Sequence, residues 1–197
     1  MYYIIGLGNP GEEYELTRHN AGRMAVLEFL KKEKMDDPEL DKKFSGLASK
    51  GEIGKEKVQV ILPETFMNKS GLALKTLARS SPKKLEKMIV VHDDIDLPLG
   101  KIKISFAKNS AGHKGVESVI KAVKTVNFIR VRIGISVTDA KGRVKKPSGD
   151  KFLDYIVGKF KPAELAVIKK SAKKAAEAID VIIKEGLGKA MGEYNSS

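Results

Sequence analysis

The 197-residue chain contains no cysteine and no tryptophan, and it has only three histidines. Without cysteine there can be no disulfide, thiolate metal ligand or thiol nucleophile, a usage that suits a cytoplasmic protein. No run of about 18 apolar residues occurs, so no membrane span is expected. The first residues do not read as a basic segment followed by a long apolar stretch and a cleavage site, and no signal peptide is expected. A G-x-S-x-G elbow and an H-E-x-x-H pair are both missing, which leaves serine-elbow and zincin chemistry without support. Acidic residues are in the minority: 25 Asp and Glu face 37 Lys and Arg, for a net charge of +12. That excess means either a lysine-rich solvated surface or a polyanionic partner such as nucleic acid.

What is present is organised around the first 22 residues. Tyr2 to Ile5 is short and apolar, as a buried strand is. It breaks into Gly6-Leu7-Gly8-Asn9-Pro10-Gly11, a tight turn that matches G-x-G-x-x-G. The dinucleotide reading of that match fails. Glu12 and Glu13 stand where a pyrophosphate would lie, and the acid at the right distance, Glu28, falls inside a helical pattern. Asn9 lies in the turn and His19 follows ten residues later, an arrangement by which open α/β sheets build sites at strand ends.

Further along, Asn20 reads as a helix cap, followed by Met24, Leu27, Leu30 and Phe29 as a buried stripe. Leu47 to Ile53 and Val58 to Leu62 predict a hairpin around Gly54-Lys55, and a helix is expected from Ser70 to Ser80, closed by Pro82. Met88 to Val91 reads as a central strand. Lys101 to Phe106 and Phe128 to Val137 alternate, placing Lys101 and Lys103 beside Arg130 and Arg132 on one exposed face. Residues 138–149 read as a basic, mobile loop, and Pro162 opens a long helix bearing Leu165, Ile168, Ile179 and Ile182. The pattern predicts an α/β fold: one domain over residues 1–197 with a mixed twisted sheet sandwiched between helices in three layers. Residues from about 187 to 197 are expected to be a flexible tail.

His92-Asp93-Asp94-Ile95-Asp96 supports three readings: a magnesium or manganese site, a carboxylate that orients a histidine, or an aspartate-rich turn. Each histidine, His19, His92 and His113, sits where a regular element meets a polar loop, and His19 shares its surroundings with Asn9. Histidine-assisted attack by water, with the amides of Asn9 and Asn68 as dipoles, is the remaining chemistry.

Several blocks together carry a resemblance: GLGNPG-x-x-Y-x-x-T-R-H-N-A-G, P-x-T-F-M-N-x-S-G, HDDIDLPLGKIK, GHKG and VRIGI. In order and spacing, over essentially the whole chain, they resemble the bacterial peptidyl-tRNA hydrolase family. The resemblance implies a monomeric, metal-independent and cofactor-free cytoplasmic enzyme that hydrolyses the ester between a peptide and the 3′ ribose of tRNA. It implies that His19 is the base, Asp93 its support, and Asn9 a selector of N-blocked substrates. Tyr14, Phe66 and Asn68 would contact the peptidyl and 3′ end, while Lys103 and Arg132 would take tRNA phosphates. Where the family has G-G-H-N-G, this chain has Ala111-Gly112-His113-Lys114-Gly115, and Ser105 replaces a frequent basic residue. His113 and Lys114 are therefore expected at the substrate, Lys114 acting through charge. The alternative is an RNA-binding protein on the same scaffold without hydrolysis.

Overall fold

Seven strands form one sheet and six helices cover it, in a computed structural model that describes residues 1–196, the side chain of Asp150 excepted. In chain order the elements are β1 (Tyr2–Gly6), α1 (Ala21–Lys32), β2 (Glu39–Asp41), β3 (Gly46–Ile53), β4 (Glu56–Pro63), α2 (Pro82–Leu85) and β5 (Met88–Pro98). There follow β6 (Ile102–Phe106), α3 (Lys114–Val123), β7 (Ile129–Ser136), α4 (Asp150–Val157), α5 (Pro162–Glu185) and α6 (Leu187–Asn195). The strand order is β2-β3-β4-β1-β5-β7-β6: β4, β1, β5 and β7 are parallel neighbours, while β2 pairs antiparallel with β3, β3 with β4, and the edge strand β6 with β7.

The central strands are continuous apolar runs because helices cover both of their faces. Ile4, Ile89, Val91 and Val131 pack with Val26, Phe29 and Ile179 on the α1/α5 side. Ile5, Val90 and Phe128 pack with Met67, Leu74, Val116 and Val119 on the α3 side. The mixed sheet between helix layers is the architecture expected from the sequence.

Several local expectations are corrected. In α1 the fully buried stripe is Ala21, Gly22, Ala25, Val26, Phe29 and Leu30, while Met24 and Leu27 are half-buried. Small residues, which carry little weight in a hydrophobic pattern, let this helix approach the sheet. A Cβ on Gly22 would stand 2.2 Å from the carbonyl oxygen of Val91. The helix expected over 70–80 is instead a 3-10 segment, Met67–Leu74. There Gly71 donates its N–H to Ser118 Oγ at 2.9 Å, so α3 takes a bond that a regular helix would keep. Pro82 opens α2 rather than ending a helix. α4 falls in a stretch for which no element was predicted. Residues 187–195, expected to be a tail, form a helix that buries Ala190 and Tyr194. There, Asn195 Oδ1 and Nδ2 bond the N–H and C=O of Ile104 on the edge strand β6, at 2.7 and 3.0 Å.

Candidate active site

The carboxyl ends of β1, β4 and β5 converge on one cleft of about 850 Å³, lined by Asn9, His19, Met67, Asn68, Asp93 and His113 among others. Crevices at strand ends are where open α/β sheets place ligands. The close passage of Gly22 over Val91 brings the start of α1 onto β5. It thereby sets His19, in the 3-10 turn Arg18–Asn20, against Asp93, 74 residues away in the chain.

Asp93, 2% exposed, receives two imidazoles. His19 Nδ1 lies 2.9 and 3.0 Å from its two carboxylate oxygens, and His113 Nε2 lies 2.8 Å from Oδ1. The tautomer of His113 follows from its other nitrogen. Nδ1 accepts the N–H groups of Gly115 and Val116 at 3.1 and 3.2 Å, capping α3, so Nε2 must carry the proton. His19 donates from Nδ1, which leaves Nε2 as its lone-pair nitrogen. Burial lowers the pKa of His19, but the charge and hydrogen bond of Asp93 outweigh it, and the net shift is upward. Burial works against ionisation of Asp93, yet the facing imidazoles hold its carboxyl far below the usual range. His92 is fully interior: its Nδ1 donates to the carbonyl of Asp93 at 2.6 Å, its Nε2 meets no partner, and burial drives its pKa well down.

The metal reading does not fit. His19, Asp93 and His113 are close enough together to be considered as ligands. However, the nitrogen that His113 turns toward Asp93 bears a proton, because α3 occupies the other one. Nor do Asp93, Asp94 and Asp96 converge: Asp94 Oδ2 takes Arg132 Nε at 2.6 Å, and Asp96 pairs with Lys146.

Asn9 is held at every backbone atom it offers. Its N–H donates to Asn20 Oδ1 at 2.8 Å and its C=O accepts from Asn20 Nδ2 at 2.9 Å. Its side-chain oxygen accepts the N–H of Met67 at 2.8 Å, so the amide nitrogen, which has no partner among the described residues, is left for the cleft. Asn20 was expected to cap α1; its side chain clamps Asn9 instead. Asn68 is exposed in the cleft wall, and Phe66, 57% exposed, meets Tyr14 edge-on at 6.3 Å on the rim.

The basic strand face is only partly as expected. Lys103 is exposed on the edge strand β6, but Arg130 on the interior strand β7 is 3% exposed. Burial and the neighbouring Arg132 push the pKa of Arg130 down to about 10. Lys114, the first residue of α3, is exposed at the cleft and pairs with Glu117 at 3.2 Å. Sequence reasoning missed α4, whose Phe152, Leu153, Ile156 and Val157 form an apolar wall of the cleft. Their i, i+1, i+4, i+5 spacing was the available signal.

This geometry defines a class: three-layer α/β proteins in which a buried histidine–carboxylate pair opens into a largely apolar cleft at the ends of parallel strands. Within that class the chain belongs to the peptidyl-tRNA hydrolase family, whose model matches residues 3–197. A curated peptidyl-tRNA hydrolase of a Thermoanaerobacter species is 42% identical over 195 residues, covering 99% of this chain and all of that one. One from Carboxydothermus hydrogenoformans is 41% identical, covering 99% and 98%. The crystal structure of peptidyl-tRNA hydrolase from Acinetobacter baumannii superposes with a TM-score of 0.88 at 28% identity, covering 100% of this chain and 95% of that one. The activity that goes with this membership is hydrolysis of peptidyl-tRNA, and no observation favours the binding-only alternative. No helix among the described residues is long and apolar enough to cross a membrane.

Proposed function

We propose that His19 is the general base of this hydrolysis. The observation that carries the proposal is the bond from His19 Nδ1 to Asp93, which leaves Nε2 on the other edge of the ring to accept a proton from water in the cleft. The water oxygen bonds to the ester carbonyl carbon as His19 takes the proton. The tetrahedral intermediate then collapses, the bond to the ribose oxygen breaks, and that oxygen receives the proton, so the products are free peptide and tRNA. Asp93 holds the ring in the productive tautomer and stabilises its protonated form.

The free amide of Asn9 donates to a carbonyl of the peptidyl group, which requires an acylated nitrogen and so favours N-blocked substrates. Asn68 lines the same cleft, and Phe66 with Tyr14 flanks the 3′ end. Lys103, Arg132 and Lys114 face tRNA phosphates, and His113 acts at the site by holding Asp93. The whole chain 1–197 serves as one domain, working as a cytoplasmic monomer without metal or cofactor.

The test is hydrolysis of N-acetyl-aminoacyl-tRNA by wild type and His19→Ala, with and without EDTA. His19→Ala should lose about 10³-fold or more in rate while still binding tRNA. Full activity of that variant, or abolition of wild-type activity by EDTA, would refute the assignment.

A further inference from the structure

Arg18 precedes His19, but its side chain serves another part of the molecule. The residue is 7% exposed, and its guanidinium binds around the end of α4. Nη1 donates to the carbonyls of Tyr155, Gly158 and Lys159 at 3.3, 3.2 and 3.2 Å. Nη2 pairs with Glu164 Oε2 at 2.7 Å. The guanidinium carbon lies 4.3 Å from the centre of the Tyr155 ring and 5.4 Å from that of Phe160. The backbone reinforces the junction: Arg18 N–H donates to Gly158 O, and Phe160 N–H to Leu16 O.

The carbonyls at a helix C-terminus have no partner within the helix and carry its negative pole, so a buried cation there satisfies both needs. Glu164 accepts in addition from the N–H of Lys161, closing the first turn of α5. One side chain therefore ties the catalytic turn, the end of α4 and the start of α5 together.

α4 needs such a tie. It has eight residues, and Gly149 before it provides no side-chain cap. A helix of two turns is not stable by itself and takes its position from tertiary contacts. A hydrogen bond from Tyr155 Oη to Ile135 O at 2.8 Å anchors it to the sheet. Yet Phe152, Leu153 and Val157 remain 39%, 64% and 38% exposed along the cleft, an apolar surface with nothing packed on it.

We infer that Arg18 is a positioning residue that holds the α4 wall at a set distance from His19 and thereby determines how well the site retains bulky apolar peptidyl groups. The inference rests on the reading that the cleft takes the peptidyl part of the substrate. Lysine cannot replace this arginine, since one ammonium cannot serve three carbonyls and a carboxylate while stacking on two rings.

The experiment uses two inert probes, 3′-amino-3′-deoxyadenosine joined through an amide to N-acetylphenylalanine or to N-acetylglycine. Their binding is measured on wild type, Arg18→Lys and Glu164→Gln, together with kcat and KM for N-acetyl-phenylalanyl-tRNA. Arg18→Lys should weaken the phenylalanyl probe by about tenfold and the glycyl probe by less than about threefold, and should raise KM with kcat nearly retained. Glu164→Gln keeps the carbonyl contacts and should show a smaller loss with the same preference; it decides the matter if Arg18→Lys does not fold. Equal weakening of both probes, or a fall in kcat at constant KM, would overturn the inference. Retained hydrolysis in His19→Ala would instead overturn the catalytic reading and leave the ratio of the two probes unaffected.

Discussion

Replacing Asp93 by asparagine removes one charge and one acceptor from a position that is 2% exposed. The wild-type carboxylate accepts from His19 Nδ1 and from His113 Nε2. His113 cannot change tautomer, because its Nδ1 is committed to the N–H groups of Gly115 and Val116. The single carbonyl oxygen of asparagine then has to serve two donors, while its NH₂ group confronts an N–H. The relief open to the pair is for His19 to present Nδ1 as an acceptor, which moves its proton to Nε2 and removes the lone pair proposed to take a proton from water. The charge acts in the same direction. Burial lowers the pKa of His19, and Asp93 raises it by more, to a net value above the ordinary 6.5. In Asp93→Asn burial alone remains, so the His19 pKa falls below its ordinary value. With neutral His19 as the proposed base, wild-type kcat/KM should be lost as pH drops through a value above 6.5. The variant should keep its plateau to lower pH, but at a height about 10² to 10⁴ below wild type. The assay is the pH profile of kcat/KM on N-acetyl-aminoacyl-tRNA from about pH 4.5 to 9. An acid limb that stays at the wild-type position, or a plateau within about tenfold of wild type, would refute this account.

Asn20→Ala leaves the N–H and C=O of Asn9 without their partners and should destabilise the fold by about 2 to 4 kcal/mol while lowering kcat/KM; denaturant unfolding with parallel kinetics checks both, and a stability change under about 0.5 kcal/mol would contradict it. Lys103→Ala should reduce the magnitude of the log–log salt slope of tRNA affinity by about 0.7 to 0.9 without affecting stability. Arg132→Ala should reduce it similarly but also cost about 1 to 3 kcal/mol of stability, because Asp94 loses its ion-pair partner in the fold. Lys114→Ala should weaken full peptidyl-tRNA by about 1 kcal/mol at low salt, with the effect fading at high salt. If neither full peptidyl-tRNA nor a short peptidyl-CCA fragment responds at either ionic strength, Lys114 is a solvent residue paired with Glu117.

The elements that could be read from the chain are those whose physics is local. Met88 to Val91 is apolar at every position because the strand is covered on both faces, and that requirement is written in consecutive residues. The β3–β4 hairpin announced itself by two β-rich runs around Gly54, which adopts φ +60 in the turn. α1 was found with Phe29 and Leu30 on its buried face, but the rest of that face was missed, since Gly22 and Ala25 contribute by being small rather than by being hydrophobic. Arg130 and Arg132 alternate with isoleucine and valine as exposed residues would. Only the placement of β7 inside the sheet, with β6 at the edge, turns one into a buried cation and the other into the partner of Asp94.

For the site, the sequence by itself determined the chemical inventory: a histidine after a glycine-rich turn, an aspartate at the end of an apolar strand, amides at two strand ends, and no cysteine. Tertiary structure alone decided how these groups are used. The closeness of Gly22 to Val91 made Asp93 the partner of His19, the N-terminus of α3 set the tautomer of His113, and Asn20 became a clamp on Asn9 instead of a helix cap. The reason is physical. A local pattern encodes which surfaces must leave water, whereas a hydrogen bond of 2.9 Å between residues 74 apart depends on where packing finally sets two backbones.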